Sequence, residues 1–159
     1  MVDTGAKVIT VPDLRWKRRD IKSVSMLAQV LAKQAAAEAG AFEAWMIEDD
    51  YVTEGSSTTA FIITSGGKII TRPLSDSILP GITRQSTLRL AEEHALTIEE
   101  RPFKVEEAHV AAEVFLTSAT SFVLPIVAID GQCVGDGRPG EMTRHLRQVY
   151  LAMASDSAS

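Results

Sequence analysis

Cysteine is almost missing from this chain: Cys133 is the one thiol in 159 residues. That excludes an internal disulfide and fits a reducing compartment such as the cytoplasm. Basic residues are also in deficit, 16 against 21 acidic ones, for a formal net charge of -5. A nucleic-acid interface needs a basic face, and the cluster at 15–22 stands in an acidic chain, so nucleic-acid binding is not expected. Apolar runs are short, so no segment is expected to span a membrane. No charged region followed by an apolar stretch opens the chain, so secretion is not indicated. The 3 histidines show no metal-ligand spacing, so no metal site is expected. A nucleophile elbow, Gly-x-Ser-x-Gly, is missing too.

What is present is enough for one domain with a proper core: hydrophobic residues make up 45% and charged residues 23%. Lys7–Val11 is rich in β-branched residues and stops at Pro12, so it reads as a strand. Apolar residues from Ile21 through Val24, Leu27, Ala28, Leu31 and Ala35 recur at helical spacing. That predicts a helix to about Ala39, with Asp20 as N-cap and Gly40 as its stop. Strands are expected at 43–47, 51–53, 58–64 and 69–71, joined as a β-meander. Their continuous apolar runs suggest cover on both faces.

Further on, a helix is expected to about His94, with Leu88, Ala91 and Ala95 on its buried stripe. The rest reads as a strand over 96–103, a short helix over 105–112, strands at 113–117 and 122–129, and a helix from Gly140 to Met153. Cys133 reads as a structural residue of a hairpin, and residues 154–159 as a frayed tail. Interleaved strands and helices make the class α/β.

Several residues carry possible chemistry. Lys22 stands where an extended segment gives way to the first helix, and burial of its amine there would make it a nucleophile towards carbonyl compounds. Glu54 lies between two apolar strands; a carboxylate there is either solvated or, if buried, needs a cation. Gly81-Ile82-Thr83 opens a helix, whose free N–H groups and partial positive charge suit an anion such as phosphate. The turn Ser118-Ala119-Thr120-Ser121 is a second donor-rich loop.

Taken in order, Asp20-Ile21-Lys22-Ser23, Val52-Thr53-Glu54-Gly55-Ser56-Ser57, Ile78-Leu79-Pro80-Gly81-Ile82-Thr83-Arg84, Phe115 to Ser121 and Gly137-Arg138-Pro139-Gly140 resemble the class IV (fold type IV) pyridoxal-phosphate aminotransferases. Within that family, Asp13-Leu14-Arg15-Trp16 and Leu31-Ala32-Lys33-Gln34 look most like the D-amino-acid aminotransferases. Branched-chain aminotransferases and aminodeoxychorismate lyases share the later motifs.

The resemblance implies a mixed sheet closing into a pseudo-barrel with flanking helices, and pyridoxal 5′-phosphate as cofactor. It implies that Lys22 forms the internal aldimine and moves the substrate proton, and that Glu54 holds the pyridine nitrogen protonated. Leu79 would pack on the ring, and Ile82 and Thr83 would take the phosphate. Ser118, Ala119 and Thr120 would offer further donors. The implied reaction is amino-group transfer between an amino acid, D-alanine-like, and a 2-oxo acid, in a homodimer. A lyase of the aminodeoxychorismate type, or a cofactor-binding domain without turnover, are the alternatives.

Three positions depart from the family pattern. Ala119 stands where a threonine is common, Thr59 where an asparagine is, and Phe122 where a glutamate is. Family members also carry an amino-terminal domain ahead of the lysine segment. Residues 1–153 are therefore expected to be the cofactor-binding domain alone.

Overall fold

A computed structural model describes residues 1–156 of the chain. Its sheet is built from β1 (Ala6–Pro12), β2 (Glu43–Glu48), β3 (Tyr51–Gly55), β4 (Thr59–Ile63), β5 (Ile69–Thr71), β6 (Ile98–Glu100), β7 (Glu113–Ser118), β8 (Phe122–Ile129) and β9 (Gln132–Cys133). The helices are α1 (Leu27–Glu38), α2 (Ile82–Glu93), α3 (Val105–Val110) and α4 (Glu141–Asp156).

The strand order is β3-β2-β1-β8-β7-β4-β5-β6, with β9 paired to β8. β1 runs parallel to both β2 and β8, and β5 parallel to β6; the remaining pairs are antiparallel. Parallel neighbours require a crossover: α1 supplies it between β1 and β2 and α2 between β5 and β6, while β8 reaches β1 only after the chain has passed through β2 to β7. The sheet curls until its ends meet. Tyr51 on one edge bridges Lys104, just beyond the other, and Val52 N–H donates to Phe103 O at 3.0 Å. The mixed, curled sheet with flanking helices is the expected fold class.

Alternation along the strands fills both faces, as their continuous apolar runs suggest. Ile62, Val114 and Leu116 point into the core inside the curl with Trp45 and Phe103. Phe61, Ile63 and Phe115 face the other way, against Ala91 of α2 and Leu146 of α4. Phe61 and Phe115 are register partners, and their rings stack at 4.6 Å.

Local expectations need several corrections. The first helix starts at Leu27, not Ile21, and its N-cap is Met26 with no side-chain cap; Asp20 instead accepts hydrogen bonds from Arg18 at 3.0 and 2.9 Å. Its buried face is Ala32 and Ala36 against Ala44 and Met46, whereas Leu27 and Leu31 are exposed. Small residues let the helix lie close to β2, so the alanine face wins. The strands of the expected meander form two separate hairpins, β2–β3 and β4–β5, at different places in the sheet. Asp49 and Asp50 both adopt positive φ, the geometry of a tight two-residue hairpin turn. Ala95 lies past the end of α2, exposed and at positive φ. Cys133 is exposed. The terminal helix continues through Asp156, so 154–156 are helical; residues 157–159 of the expected tail lie outside the described residues.

Two carboxylates, half-buried Glu113 and buried Glu43, hold neighbouring segments in place. Glu113 accepts from Met142 N at 3.0 Å and Thr143 N at 2.8 Å, capping the first turn of α4. Gly140 permits this, since a Cβ there would run into the Glu113 side chain. Glu43, fully buried, accepts from Ser56 Oγ at 2.5 Å and from the Ala44 and Ser57 N–H groups at 2.8 and 3.3 Å. It thereby fixes the turn between β3 and β4.

Candidate active site

The loops that follow β1, β3, β5 and β7 enclose a cavity of about 470 Å³. Lys22, Glu54, Leu79, Ile82, Thr83, Ser118 and Ala119 all line it. Segments far apart in sequence therefore meet at one place. Thr120 is not part of the lining; it is exposed, and its hydroxyl lies 3.4 Å from Ser118 Oγ. Ser118 Oγ in turn accepts from Ser121 N at 3.0 Å, so this pair holds the turn together.

At one end sits Glu54, 5% exposed. Its carboxylate accepts from Leu79 N at 3.2 and 3.3 Å and pairs with the Arg15 guanidinium. Glu54 thus already has a cation from its own chain, where the sequence reading assigned that place to a ring nitrogen. Arg15 also donates to Asp13, through Nε at 3.0 Å and Nη2 at 2.7 Å. Thr53 donates its hydroxyl to Asp13 Oδ2 at 2.6 Å. Burial pushes the Glu54 carboxyl above its ordinary range, against the pull of Arg15. Burial alone would raise Asp13 too, but hydrogen bonds from Arg15 and Thr53 outweigh it and hold that carboxyl low.

The segment after β1 is pinned by the same charges. Arg19 is 4% exposed and grips Glu48 with both Nη atoms, at 2.8 and 2.9 Å. Its own N–H donates to Asp76 O at 2.8 Å. Lys17 adds a contact to Glu48 at 2.7 Å. Hydrogen bonds from Arg19 and Lys17 pull the Glu48 carboxyl down to about 2. The 13–19 stretch is thus clamped to the β2–β3 hairpin and the loop before α2, which delivers Lys22 to the cavity. Lys22 itself is exposed, so the burial expected for its amine is not found: nothing among the described residues covers that side.

The other end is the start of α2. Gly81 is the N-cap in an extended conformation, no side chain caps the helix, and its first turn carries no acidic residue. Ile82 exposes its side chain, leaving its backbone N–H as the useful group, and Thr83 is buried. Arg84 is buried against Glu100 and Arg72 O, behind the helix start.

Sequence reasoning missed Arg15, Asp13, Glu43 and Thr117 as parts of this site. A buried arginine inside a basic run carries no local signal, because Arg15 and exposed Arg18 look alike until the sheet closes.

The family model described as amino-transferase class IV matches residues 5–129. The chain is 45% identical over 143 residues to a D-alanine aminotransferase of Bacillus licheniformis, covering 90% of this chain and 50% of that protein. It is 40% identical over 149 residues to the D-alanine aminotransferase of Staphylococcus aureus (strain MSSA476), covering 94% and 52%. The fold is similar to that of the branched-chain amino acid aminotransferase of Thermobaculum terrenum in its PLP form, with a TM-score of 0.85 and 30% identity over 95% of this chain and 51% of that one. The chain therefore spans about half the length of the curated relatives it matches. With a family match over most of its length and its motif residues gathered at one cavity, this chain belongs to the class IV aminotransferases.

Proposed function

We propose that residues 1–153 are the pyridoxal 5′-phosphate-binding half of an enzyme that moves an amino group between a D-alanine-like amino acid and a 2-oxo acid. One observation carries this reading: Lys22, Glu54 and the uncapped start of α2 surround a single cavity. The fit is supported by buried hydroxyls without partners on cavity-lining Thr83 and Thr117, which leave donors free for an anion. When bound, the cofactor supplies a cationic ring that takes up the electrons left as an amino acid loses its Cα proton.

Each residue then has a physical task. The Glu54 carboxylate, buried beside the Arg15 guanidinium, is the negative group that would favour a proton on the ring nitrogen. Arg15 and Leu79 N–H fix that carboxylate in position. Leu79 offers its side chain to the ring face. Lys22 is the amine that would hold the cofactor at its carbonyl carbon and, when displaced from it, would move the proton at the substrate Cα. Ile82 and Thr83 N–H groups take the phosphate, helped by the helix dipole. Ser118 and Ala119 border the space left for the substrate carboxylate. Exposed Leu27, Val30 and Leu31 on α1 support association into a homodimer.

The test is spectroscopic. Mixed with pyridoxal 5′-phosphate, the protein should gain a visible absorbance band that D-alanine discharges and a 2-oxo acid restores. Lys22→Ala should abolish the band. A band unchanged in Lys22→Ala would refute the role of Lys22. A Lys22-dependent band that no donor discharges would leave a binding domain without turnover, and pyruvate released from aminodeoxychorismate without an amino acceptor would make it a lyase.

A further inference from the structure

The start of α2 is bordered by more hydroxyls than the one on Thr83. Thr117 on β7 is 2% exposed and Thr83 is 3% exposed; both line the cavity, and neither Oγ1 has a hydrogen-bond partner. Thr59 on β4 is the register partner of Thr117, so the two side chains stand next to each other on one face of the sheet. Thr59 is 6% exposed, and its Oγ1 lies 3.4 Å from where a Cβ on Gly81 would sit. Gly81 is the N-cap of α2. Two strands therefore bring a threonine pair up to the helix terminus where Thr83 resides. Of the adjoining turn's two lining residues, Ala119 has no hydroxyl, and Ser118 Oγ is engaged within the turn by Ser121 N.

Buried hydroxyls without a partner are costly, and native proteins rarely leave them so. Three of the unpartnered hydroxyls among the described residues, those of Thr58, Thr83 and Thr117, belong to residues lining this one cavity. An acceptor-rich dianion is the ligand chemistry that satisfies donors of this kind at a helix start.

Resting on the function proposed above, we infer that Thr117, seated beside Thr59, donates its hydroxyl to the phosphate monoester end of the cofactor. It thereby completes a cup with Thr83 and the first N–H groups of α2. Thr117 is in this sense a phosphate-binding residue contributed by the sheet rather than by the turn that follows it.

The experiment compares the dissociation constants of pyridoxal and pyridoxal 5′-phosphate, read by the Lys22-dependent absorbance, so that the phosphate contribution is their ratio. Thr117→Val should lower that ratio by about tenfold, the loss of one charge-assisted hydrogen bond. Thr117→Ser should restore it. Thr87→Val serves as control, since Thr87 is a buried threonine of α2 with an unpartnered hydroxyl that lies outside the cavity lining. An unchanged ratio in Thr117→Val, or an equal fall in Thr87→Val, overturns the inference while the proposed function stands. A parallel titration with inorganic phosphate, followed by its phosphorus resonance, separates the two the other way. Phosphate binding lost in Thr117→Val, in a protein that forms no Lys22 adduct with either aldehyde, keeps the anion cup and removes the proposed function. No adduct and no phosphate binding overturns both.

Discussion

The two ends of the cavity are built on opposite terms. At the Glu54 end every charge has a partner from the chain itself: Arg15, Asp13, Thr53 and Leu79 N–H form a closed network. At the α2 end, Thr83 and Thr117 are buried with hydroxyls that nothing among the described residues satisfies. The first end is complete from the protein's own groups, whereas the second presents donors that the proposed cofactor phosphate would satisfy. Buried charges cannot wait for a partner, because an unpaired one costs several kcal/mol. A buried hydroxyl costs far less, so the fold tolerates it as a standing donor.

Substitutions should therefore act with opposite sign at the two ends. The largest effect is expected for Arg15→Met. It removes the cation shared by Asp13 and Glu54, and with Arg15 and Asp13 side chains only 4% and 0% exposed, the loss should reach about 3–5 kcal/mol in chemical denaturation. A variant as stable as the wild type would mean that water already solvates these carboxylates. Next comes Glu43→Gln, which weakens the bonds to Ser56 and Ser57 and should destabilise by about 1–3 kcal/mol. It should also loosen the cavity wall at the β3–β4 turn, read as faster amide exchange at Ser56 and Ser57.

Thr83→Val should go the other way and raise the stability of the free protein by up to ~1 kcal/mol, since it deletes an unsatisfied hydroxyl. A fall in stability would show that the hydroxyl is satisfied by water and would erase the contrast between the ends. The smallest effect concerns pH. The Glu48 carboxyl is held at about 2 against an ordinary 4.5, so its pair with Arg19 contributes stability that is present above that ordinary value. This contribution should fade as pH falls from about 4.5 towards about 2, and the fading should vanish in Glu48→Gln, followed by melting temperature across that range.

Much of the fold could be read from local pattern. β8 over Phe122–Ile129 and the β2–β3 hairpin around Asp49 and Asp50 follow from apolar runs and turn residues, because short-range preferences suffice to set them. The helix after Lys22 was harder. Ile21 and Val24 keep helical spacing, yet the charge clamp of Arg15 and Arg19 holds the preceding segment extended, and the helix begins at Leu27. For α1, periodicity suggested a leucine-bearing stripe, but close approach to β2 selected Ala32 and Ala36.

By itself the sequence determined the order of strands and helices, the motif residues Lys22, Glu54, Leu79, Ile82 and Thr83, and the family they belong to. Those depend on residue type and spacing, which the chain carries locally. Only the tertiary structure decided that Arg15 would meet Glu54, that Glu43 would hold the β3–β4 turn, and that Thr117 would stand beside Thr59 near the start of α2. Each of these pairings joins segments distant in the chain. What selects them is the cost of burying a charge or a hydroxyl, and that cost exists only once the curled sheet has closed around it.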